Sequence, residues 1–362
     1  MTGQASRGMT DKGTVFMDRL YLIKHGGVEM KILVTGGCGF IGSNFIRYIL
    51  NTHEDYEIFN IDALTYAGNP YNLSDVANNE RYTFVEGRIE DRELVSKVVK
   101  GVDWIIDFAA ESHVDRSILN AYPFLQTNII GLQSLLEAAK NSDIERFLHI
   151  STDEVYGSLH SDSGKFTEES PMAPNSPYSA SKASGDLLIR SYNITHELPV
   201  IIARPSNNYG PFQYPEKFIP LMITNLIDDK PVPLYGEGLN IRDWLFVGDT
   251  CRALDLILDK GKSGQIYNIG GNCEKRNIDL VRIILSIFGK DDNYIHFVED
   301  RPGHDYRYAL DNTMISTKLG WEPSVDFMER IRQTIDWYKN NEWWWRPLKT
   351  RLASISRGHW EK

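Results

Sequence analysis

Between Met30 and Ala203 the chain alternates short apolar runs with longer stretches of helical spacing. The first run is Met30-Lys-Ile-Leu-Val-Thr35, and its pattern predicts a strand over Lys31–Thr35. Similar runs predict strands over Glu57–Ile61, Tyr82–Val85, Trp104–Phe108, Arg146–Ile150 and Leu198–Ala203. Helical spacing marks Ser43–Leu50, Asp91–Val99, Phe124–Ala139 and Ser176–Tyr192, and Pro177 suits the first turn of the last. Strand and helix in alternation specify an α/β fold with a doubly wound parallel sheet. After Ala203 the alternation fades. Arg204–Pro211 reads as loop, Pro215–Pro220 as a proline-rich connection, Pro231–Gly238 as strand and turn, and Phe327–Tyr338 as a closing helix. The expected organisation is a sheet domain over 30–203 and a smaller α/β region over 204–341, with some chain returning to the sheet. A tail over 342–362 carries Trp343-Trp344-Trp345, whose apolar area is expected to pack on the body.

Where the runs end, the residues change character. Gly36, Gly39 and Gly42 form a GxxGxxG between the first strand and the first helix. Glycines there permit a tight turn, close approach of backbone to a pyrophosphate, and helix–strand packing. The helix N-terminus then meets the phosphate charge. Asp62 closes the second strand, twenty residues beyond Gly42. An acid at that place accepts hydrogen bonds from an adenosine ribose and repels a 2′-phosphate, so NAD is expected rather than NADP.

Ala109-Ala-Glu-Ser-His113 leaves the fourth strand and Ser151-Thr-Asp-Glu-Val-Tyr-Gly157 the fifth, both at carboxyl ends, where open α/β sheets bind ligands. Tyr178 and Lys182 lie four apart on one helical face, and a nearby ammonium favours the phenolate. Asp153 and Glu154 beside this pair divide acid and base roles if their environments separate their pKa values. Adjacent acids, or an isolated i,i+4 Tyr/Lys pair, more often mark a solvated surface. Here the acids leave an apolar strand and the pair follows GxxGxxG, which favours chemistry.

Composition removes other classes. The 362 residues are 42% hydrophobic and 24% charged, ample for a large core. The formal net charge is −10 without a block of like charge, which argues against nucleic-acid or membrane-surface binding. Cys38, Cys251 and Cys273 show neither CxxC nor zinc spacing, so a reducing, cytoplasmic compartment and no metal are expected. No apolar run approaches membrane-spanning length. Residues 1–29 lack the apolar core of a signal peptide. Gly26-Gly-Val-Glu-Met30 is encodable as GGAGGN-GTN-GAR-ATG, a ribosome-binding sequence just before a start codon. The expectation is that Met30 is the natural start and that 1–29 is leader-derived, or else a disordered tail. An intact-mass measurement on protein from the native host separates the two.

From Met30 to about Tyr338 these residues resemble the extended short-chain dehydrogenase/reductase superfamily, in its nucleotide-sugar dehydratase and epimerase group. GxxGxxG and YxxxK carry the superfamily level. Ala109–Ser117, Ser151–Gly157, Ser206–Pro211, Pro215-Glu-Lys217 and Arg301-Pro-Gly-His-Asp305 carry a closer likeness to the dTDP-glucose 4,6-dehydratase family. The resemblance implies a Rossmann-type sheet with a smaller C-terminal substrate domain, bound NAD, and a dTDP-glucose substrate. It also implies a homodimer formed through the two helices containing Thr127 and Tyr178. Tyr178 takes the proton of the 4-hydroxyl while C4 gives hydride to NAD⁺. Lys182 lowers the Tyr pKa and holds the nicotinamide ribose, and Thr152 hydrogen-bonds the same sugar oxygen. Glu154 is the base at C5 and Asp153 the acid at the 6-hydroxyl. The product is a 4-keto-6-deoxy sugar, of use for example in rhamnose formation.

The same resemblance places the cofactor at Gly36, Gly39, Phe40, Ile41, Gly42, Asp62, Ala63, Leu64, Thr65, Ile89, Ala109, Ala110, Glu111, Thr127, Tyr178, Lys182 and Asn208. It places the sugar nucleotide at Ser112, Thr152, Asn207, Lys217, Phe218, Pro233, Leu234, Tyr235, Arg242, Asn277, Arg301 and His304, with Tyr235 stacking on the base. Three positions depart from the family pattern. Arg88 stands where an Asp near the adenine is usual, Ala63 where Lys is frequent, and Cys273 where Asn is common. A 4-epimerase, a dehydratase of another nucleotide such as UDP-glucose, and a non-catalytic NAD sensor remain as competing readings.

Overall fold

The computed structural model describes residues 30–161, 163–324 and 326–355. The proposed leader at 1–29 and the last residues of the tail lie outside them. The chain builds a seven-stranded, wholly parallel sheet. Its first six strands are β1 (Met30–Thr35), β2 (Tyr56–Asp62), β3 (Tyr82–Glu86), β4 (Trp104–Asp107), β5 (Arg146–Ile150) and β6 (Val200–Pro205). Outside the sheet lie β7 (Asn207–Tyr209), β8 (Val232–Tyr235) and β9 (Ile241–Phe246), before the chain returns to it as β10 (Ile266–Ile269). The sheet order β10-β6-β5-β4-β1-β2-β3 reverses direction between β1 and β4. In open α/β sheets that crevice is the ligand site.

Alternation along β1 shows why the sheet is covered on both faces. Ile32 and Val34 join one apolar cluster with Phe45, Ile46, Leu254 and Ile257; Leu33 joins another with Val95, Leu135, Leu136 and Ile189. Side chains of period two, apolar in both phases, bury both faces. β10 escaped the sequence pattern because Asn268 interrupts its four residues. That side chain is fully buried, accepting from Tyr156 Oη at 2.8 Å and donating to Phe166 O at 3.1 Å.

Two helices differ from expectation. The first runs Phe40–Thr52 rather than from Ser43, because the glycine turn is complete at Gly39, its extended N-cap. The stretch expected as one helix over Phe124–Ala139 is three segments: Tyr122–Leu125, a π-helical Gln126–Gly131, and Leu132–Lys140. The wider turn lets Thr127 line the central crevice while Asn128 points inward, 2% exposed.

The C-terminal part has its own core, including Tyr209, Met222, Trp244, Leu280, Ile331, Ile335 and Tyr338. Around it lie β11 (Glu274–Arg276) and β12 (Ile295–Val298); β9 pairs with β11 and β7, and β8 with β12. Trp344 and Trp345 of the Glu342–Ile355 helix join this core, while Trp343 is exposed. Trp344 Nε1 donates to Asn72 Oδ1 at 2.7 Å, and Trp345 Nε1 to Tyr338 O at 2.8 Å. Replacing Trp345 by Ala removes a fully buried indole and its hydrogen bond to Tyr338 O. We expect a loss of about 3–5 kcal/mol in denaturant unfolding; a change within error would contradict this packing.

Candidate active site

The crevice between β1 and β4 opens into a cleft of about 220 Å³. Gly36 turns the chain off β1 at φ +67°, and a Cβ there would lie 2.8 Å from the Ala109 backbone. On the first turn of the next helix, a Cβ at Gly42 would lie 2.6 Å from Gly36 O. No side chain caps that helix and its first turn holds no acid. Its leading N–H groups and dipole are therefore available to an anion, and the glycine cradle leaves the space a pyrophosphate needs.

Asp62 is buried at the rim. Its Oδ2 accepts Cys38 N–H and its Oδ1 accepts Leu64 N–H, each at 2.8 Å. Burial raises its pKa and these two bonds partly offset that. Of the expected cofactor residues, Gly36, Gly39, Phe40, Ile41, Gly42, Asp62, Ala63, Thr65, Ile89, Ala109, Ala110, Glu111, Thr127, Tyr178 and Lys182 line this one cleft. Leu64 and Asn208 do not. Leu64, at φ +48°, packs against the apolar core. Asn208 accepts from Thr250 Oγ1 at 2.5 Å and donates to Ser206 O at 2.9 Å. Arg88 also lines the cleft.

The 109–112 loop is held by Asn128, which accepts Glu111 N–H at 2.9 Å and donates to Glu111 O at 3.1 Å and Ser181 Oγ at 2.8 Å. Ser181 belongs to the Pro177–His196 helix, whose start is fixed by a capping box between Ser176 and Ser179. Tyr178 N–H donates to Ser117 Oγ at 3.1 Å. Tyr178 and Lys182 thus enter the cleft from a pinned first turn.

The 151–157 segment is a 3₁₀ turn over Asp153–Tyr156, capped by Thr152 and ended by Gly157 at φ +82°. A Cβ at Gly157 would meet Ala173 O at 2.3 Å, so only glycine closes the turn. Thr152 Oγ1 donates to Asp153 Oδ1 at 3.3 Å; Asp153 Oδ2 is buried without a partner among the described residues. The two carboxyls differ. Burial, then Glu154 and Asp243, push Asp153 well above the usual carboxylate range. Burial also raises Glu154, but Arg301 and Arg242 pull it back. The sequence expectation of a lowered Tyr178 fails for the protein alone. Burial first and the Glu154 charge second push the phenol up, and Thr152 opposes only in part. Lys182 directs its ammonium to Ile150 O at 2.7 Å and His149 Nε2 at 3.3 Å.

Ten of the twelve expected sugar-nucleotide residues lie outside the lining of this cleft, most of them in the C-terminal part. Lys217 lines the cleft and donates to Ser112 O at 2.8 Å; Ser112 lines it too. Arg301 and Tyr235 both bond Asp115, at 3.2 and 3.1 Å. His304 lies edge-on to Tyr235, 5.9 Å between ring centres, and 2.6 Å from Asp300; burial, then Arg301, push its pKa down to about 4. Arg242 Nη2 donates to Asp305 O at 2.9 Å and lies over Tyr308. Phe218 stacks on Trp244, and Pro233 pairs with His296 in β8. The Leu234 side chain is in the C-terminal apolar core, which leaves its backbone to meet a ligand. Asn207 Oδ1, Asn277 Oδ1 and Arg301 Nε are buried without partners among the described residues. Each such atom costs about 1–3 kcal/mol unless a ligand satisfies it.

Sequence reading missed the far wall of the cleft. Phe212, Gln213 and Tyr214 line it, Tyr66 stands edge-on to Tyr214, and Arg116 covers Tyr66 while bonding Glu216 at 3.1 Å. Aromatic residues in a loop carry no periodic signal. It also passed over Asp107 and His149, whose only signal was a polar break in an apolar strand.

A glycine-cradled cleft that carries a Tyr/Lys pair, with Ser112 and Lys217 on its lining, fits a nucleotide-sugar enzyme of the short-chain dehydrogenase/reductase type. The family model for GDP-mannose 4,6 dehydratase matches residues 33–334, and the chain belongs to that family. It is 51% identical over 325 residues to a dTDP-glucose 4,6-dehydratase of Streptomyces niveus, covering 89% of this chain and 96% of the relative. It is 51% identical over 313 residues to the low-salt glycan biosynthesis protein Agl12 of Haloferax volcanii, covering 86% and 100%. The crystal structure of a dTDP-glucose 4,6-dehydratase from Streptomyces venezuelae with NAD bound superposes with a TM-score of 0.86 at 49% identity, covering 88% and 100%.

Gly36→Ala tests the cradle. A non-glycine residue at positive φ costs about 1–3 kcal/mol, which we expect to appear as a roughly ten- to hundredfold weaker NAD affinity in fluorescence titration. Unchanged affinity would contradict the cradle.

Proposed function

We propose that the chain is an NAD-dependent hydro-lyase, a dTDP-glucose 4,6-dehydratase. It oxidises C4, eliminates water across C5–C6 and returns the hydride to C6, giving dTDP-4-keto-6-deoxy-glucose for deoxysugar formation, of which rhamnose is one destination. The observation that carries the reading is the unequal pair Asp153 and Glu154. Burial raises both, Glu154 and Asp243 add to the rise at Asp153, and Arg301 with Arg242 opposes it at Glu154. A 4-epimerase needs no proton donor at C6, and a sensor needs neither group.

The cleft residues from Gly36 to Thr127 hold NAD, and Asp62 selects against a 2′-phosphate. When bound, NAD⁺ accepts the C4 hydride, gives it back at C6, and brings a positive ring that favours the phenolate of Tyr178. Tyr178 removes the 4-hydroxyl proton, with Thr152 bonded to the same oxygen and Lys182 supporting both phenolate and ribose. The resulting 4-ketone acidifies C5–H, which is why oxidation comes first. Glu154 takes the C5 proton, and Asp153 protonates the departing 6-hydroxyl. Arg301, Arg242, Lys217, Asn207 and Asn277 hold the sugar nucleotide, and Tyr235 with His304 faces the base. Thymine and uracil differ by one methyl, worth about 1–3 kcal/mol in a pocket, so dTDP-glucose and UDP-glucose are compared side by side.

The reading includes a division at about residue 204, supported by the separate C-terminal core, and a cytoplasmic location, supported by three free cysteines. It also includes a homodimer. Tyr122, Leu125, Ile130, Leu187 and Ile194 are exposed on the two helical stretches expected to pair. Leu187→Asp should convert dimer to monomer in sedimentation; a wild-type monomer at micromolar concentration would refute the pairing.

Glu154→Gln tests the chemistry. Loss of a general base costs roughly 10²–10⁴ in rate. We expect dehydrated product to fall by that factor while bound nicotinamide is still reduced on mixing with dTDP-glucose. Undiminished dehydration would remove Glu154 from the role of base, and product of unchanged mass inverted at C4 would move the reading to an epimerase. Asp153 must carry its proton to act. With a raised pKa the proton is present at low pH and lost as pH rises through that value. Elimination should therefore decline on the alkaline side, and Asp153→Asn should abolish that limb along with most of the rate.

A further inference from the structure

Three polar side chains interrupt adjacent strands at one level: Thr35 in β1, Asp107 in β4 and His149 in β5. They are register partners, Thr35 opposite Asp107 and Asp107 opposite His149, and none is more than 1% exposed. Thr35 Oγ1 donates to Asp107 Oδ1 at 2.5 Å, and His149 Nδ1 lies 2.8 Å from Asp107 Oδ2. Lys182 Nζ completes the row, 3.3 Å from His149 Nε2. Of the four, only Lys182 lines the cleft.

The partners fix the protons. An ionised carboxylate only accepts, so His149 carries its proton on Nδ1 and offers the Nε2 lone pair to Lys182. The ammonium spends one N–H there and one on Ile150 O, leaving a third for the cleft. The charges agree. Burial pushes Asp107 up, but His149, Lys182 and Thr35 outweigh it and hold it below its usual range. Burial and Lys182 lower the His149 pKa, with Asp107 and Asp186 opposing in part. Burial lowers Lys182, and Asp107 and Asp186 oppose that. Asp186, on the same helix, is already bonded to Arg204 of β6 at 2.8–2.9 Å. Asp153 and Glu154, from the 3₁₀ turn, act on Tyr178.

We propose that Asp107 and His149 are positioning residues: Asp107, through the neutral imidazole of His149, is the counter-ion that keeps Lys182 an ammonium at the cleft. The inference deepens the dehydratase reading and rests on it for the role of Lys182 beside Tyr178. Uncompensated, a buried ammonium sheds its proton, and the phenolate then loses its support.

Asp107→Asn tests it, since the amide oxygen still accepts from His149 while the charge is gone. The readout is reduction of bound NAD by a dTDP-sugar lacking the 6-hydroxyl, followed against pH, with KM for dTDP-glucose measured in parallel. The expected result is a roughly tenfold or greater loss of oxidation at neutral pH, with the rising limb moved to higher pH. KM should stay within about twofold, because neither residue lines the cleft. A folded, NAD-loaded variant with the wild-type profile would overturn the proposal. His149→Gln, which keeps a donor and an acceptor, should shift the profile the same way by less. If Asp107→Asn does not fold, this variant decides, and an unshifted profile again overturns the proposal. Nitrogen NMR of the His149 ring, assigned by its loss in His149→Gln, needs no substrate. A proton on Nδ1 supports the proposal, and a proton on Nε2 overturns it. Wild-type protein that fails to dehydrate dTDP-glucose would refute the dehydratase reading instead, leaving the NMR result to stand on its own.

Discussion

Four ionisable groups share the dry space above β5: Asp153, Tyr178 and Lys182 are buried, and Glu154 is half-buried. Water cannot stabilise their charges there, so each proton's place is set by its neighbours. Burial, Glu154 and Asp243 push Asp153 well up, against Arg242 and the Thr152 hydroxyl. Glu154 has two arginines and is the more easily ionised. Tyr178 stays a phenol until positive charge arrives beside it. Lys182 keeps its charge through a row of hydrogen bonds that crosses three strands. The active site is thus a distribution of protons, and the sheet enforces it.

That distribution depends on two halves of the chain meeting. The parallel sheet supplies the glycine cradle, the acid of β2, the 109–112 loop and the 151–157 turn, all from carboxyl ends of strands. The C-terminal part supplies Arg242, which lowers both carboxyls, Arg301, which lowers Glu154, and Lys217, which bonds back to Ser112. The buried, unpartnered atoms of Asn207, Asn277 and Arg301 sit on this second half. Each costs about 1–3 kcal/mol unless a partner of matching polarity satisfies it.

Much of this was legible in the residues alone. Six of the seven sheet strands, the doubly wound class, the cradle and the Tyr/Lys pair follow from local patterns, because each is set by neighbours close in sequence. The illegible parts depend on distant partners. β10 is short and carries a buried Asn, which is polar in sequence and apolar in effect only because Tyr156 and Phe166 satisfy it. The π turn at Gln126–Gly131 was hidden because a continuous amphipathic pattern does not report one extra residue per turn. The side chain of Leu234 lies in the core, since period two in β8 sends it inward, and the sequence did not show which face of that strand is buried. The direction of the Tyr178 shift was misjudged because i,i+4 spacing shows Lys182 and hides Glu154 and the depth of burial.

The central claim is that one bound nicotinamide is reduced and reoxidised within a single turnover. dTDP-glucose carrying deuterium at C4 tests it directly, with no NAD added beyond that bound to the protein. The account predicts a product lighter by one water with the deuterium at C6. Deuterium retained at C4, or lost to solvent while product forms, would contradict it.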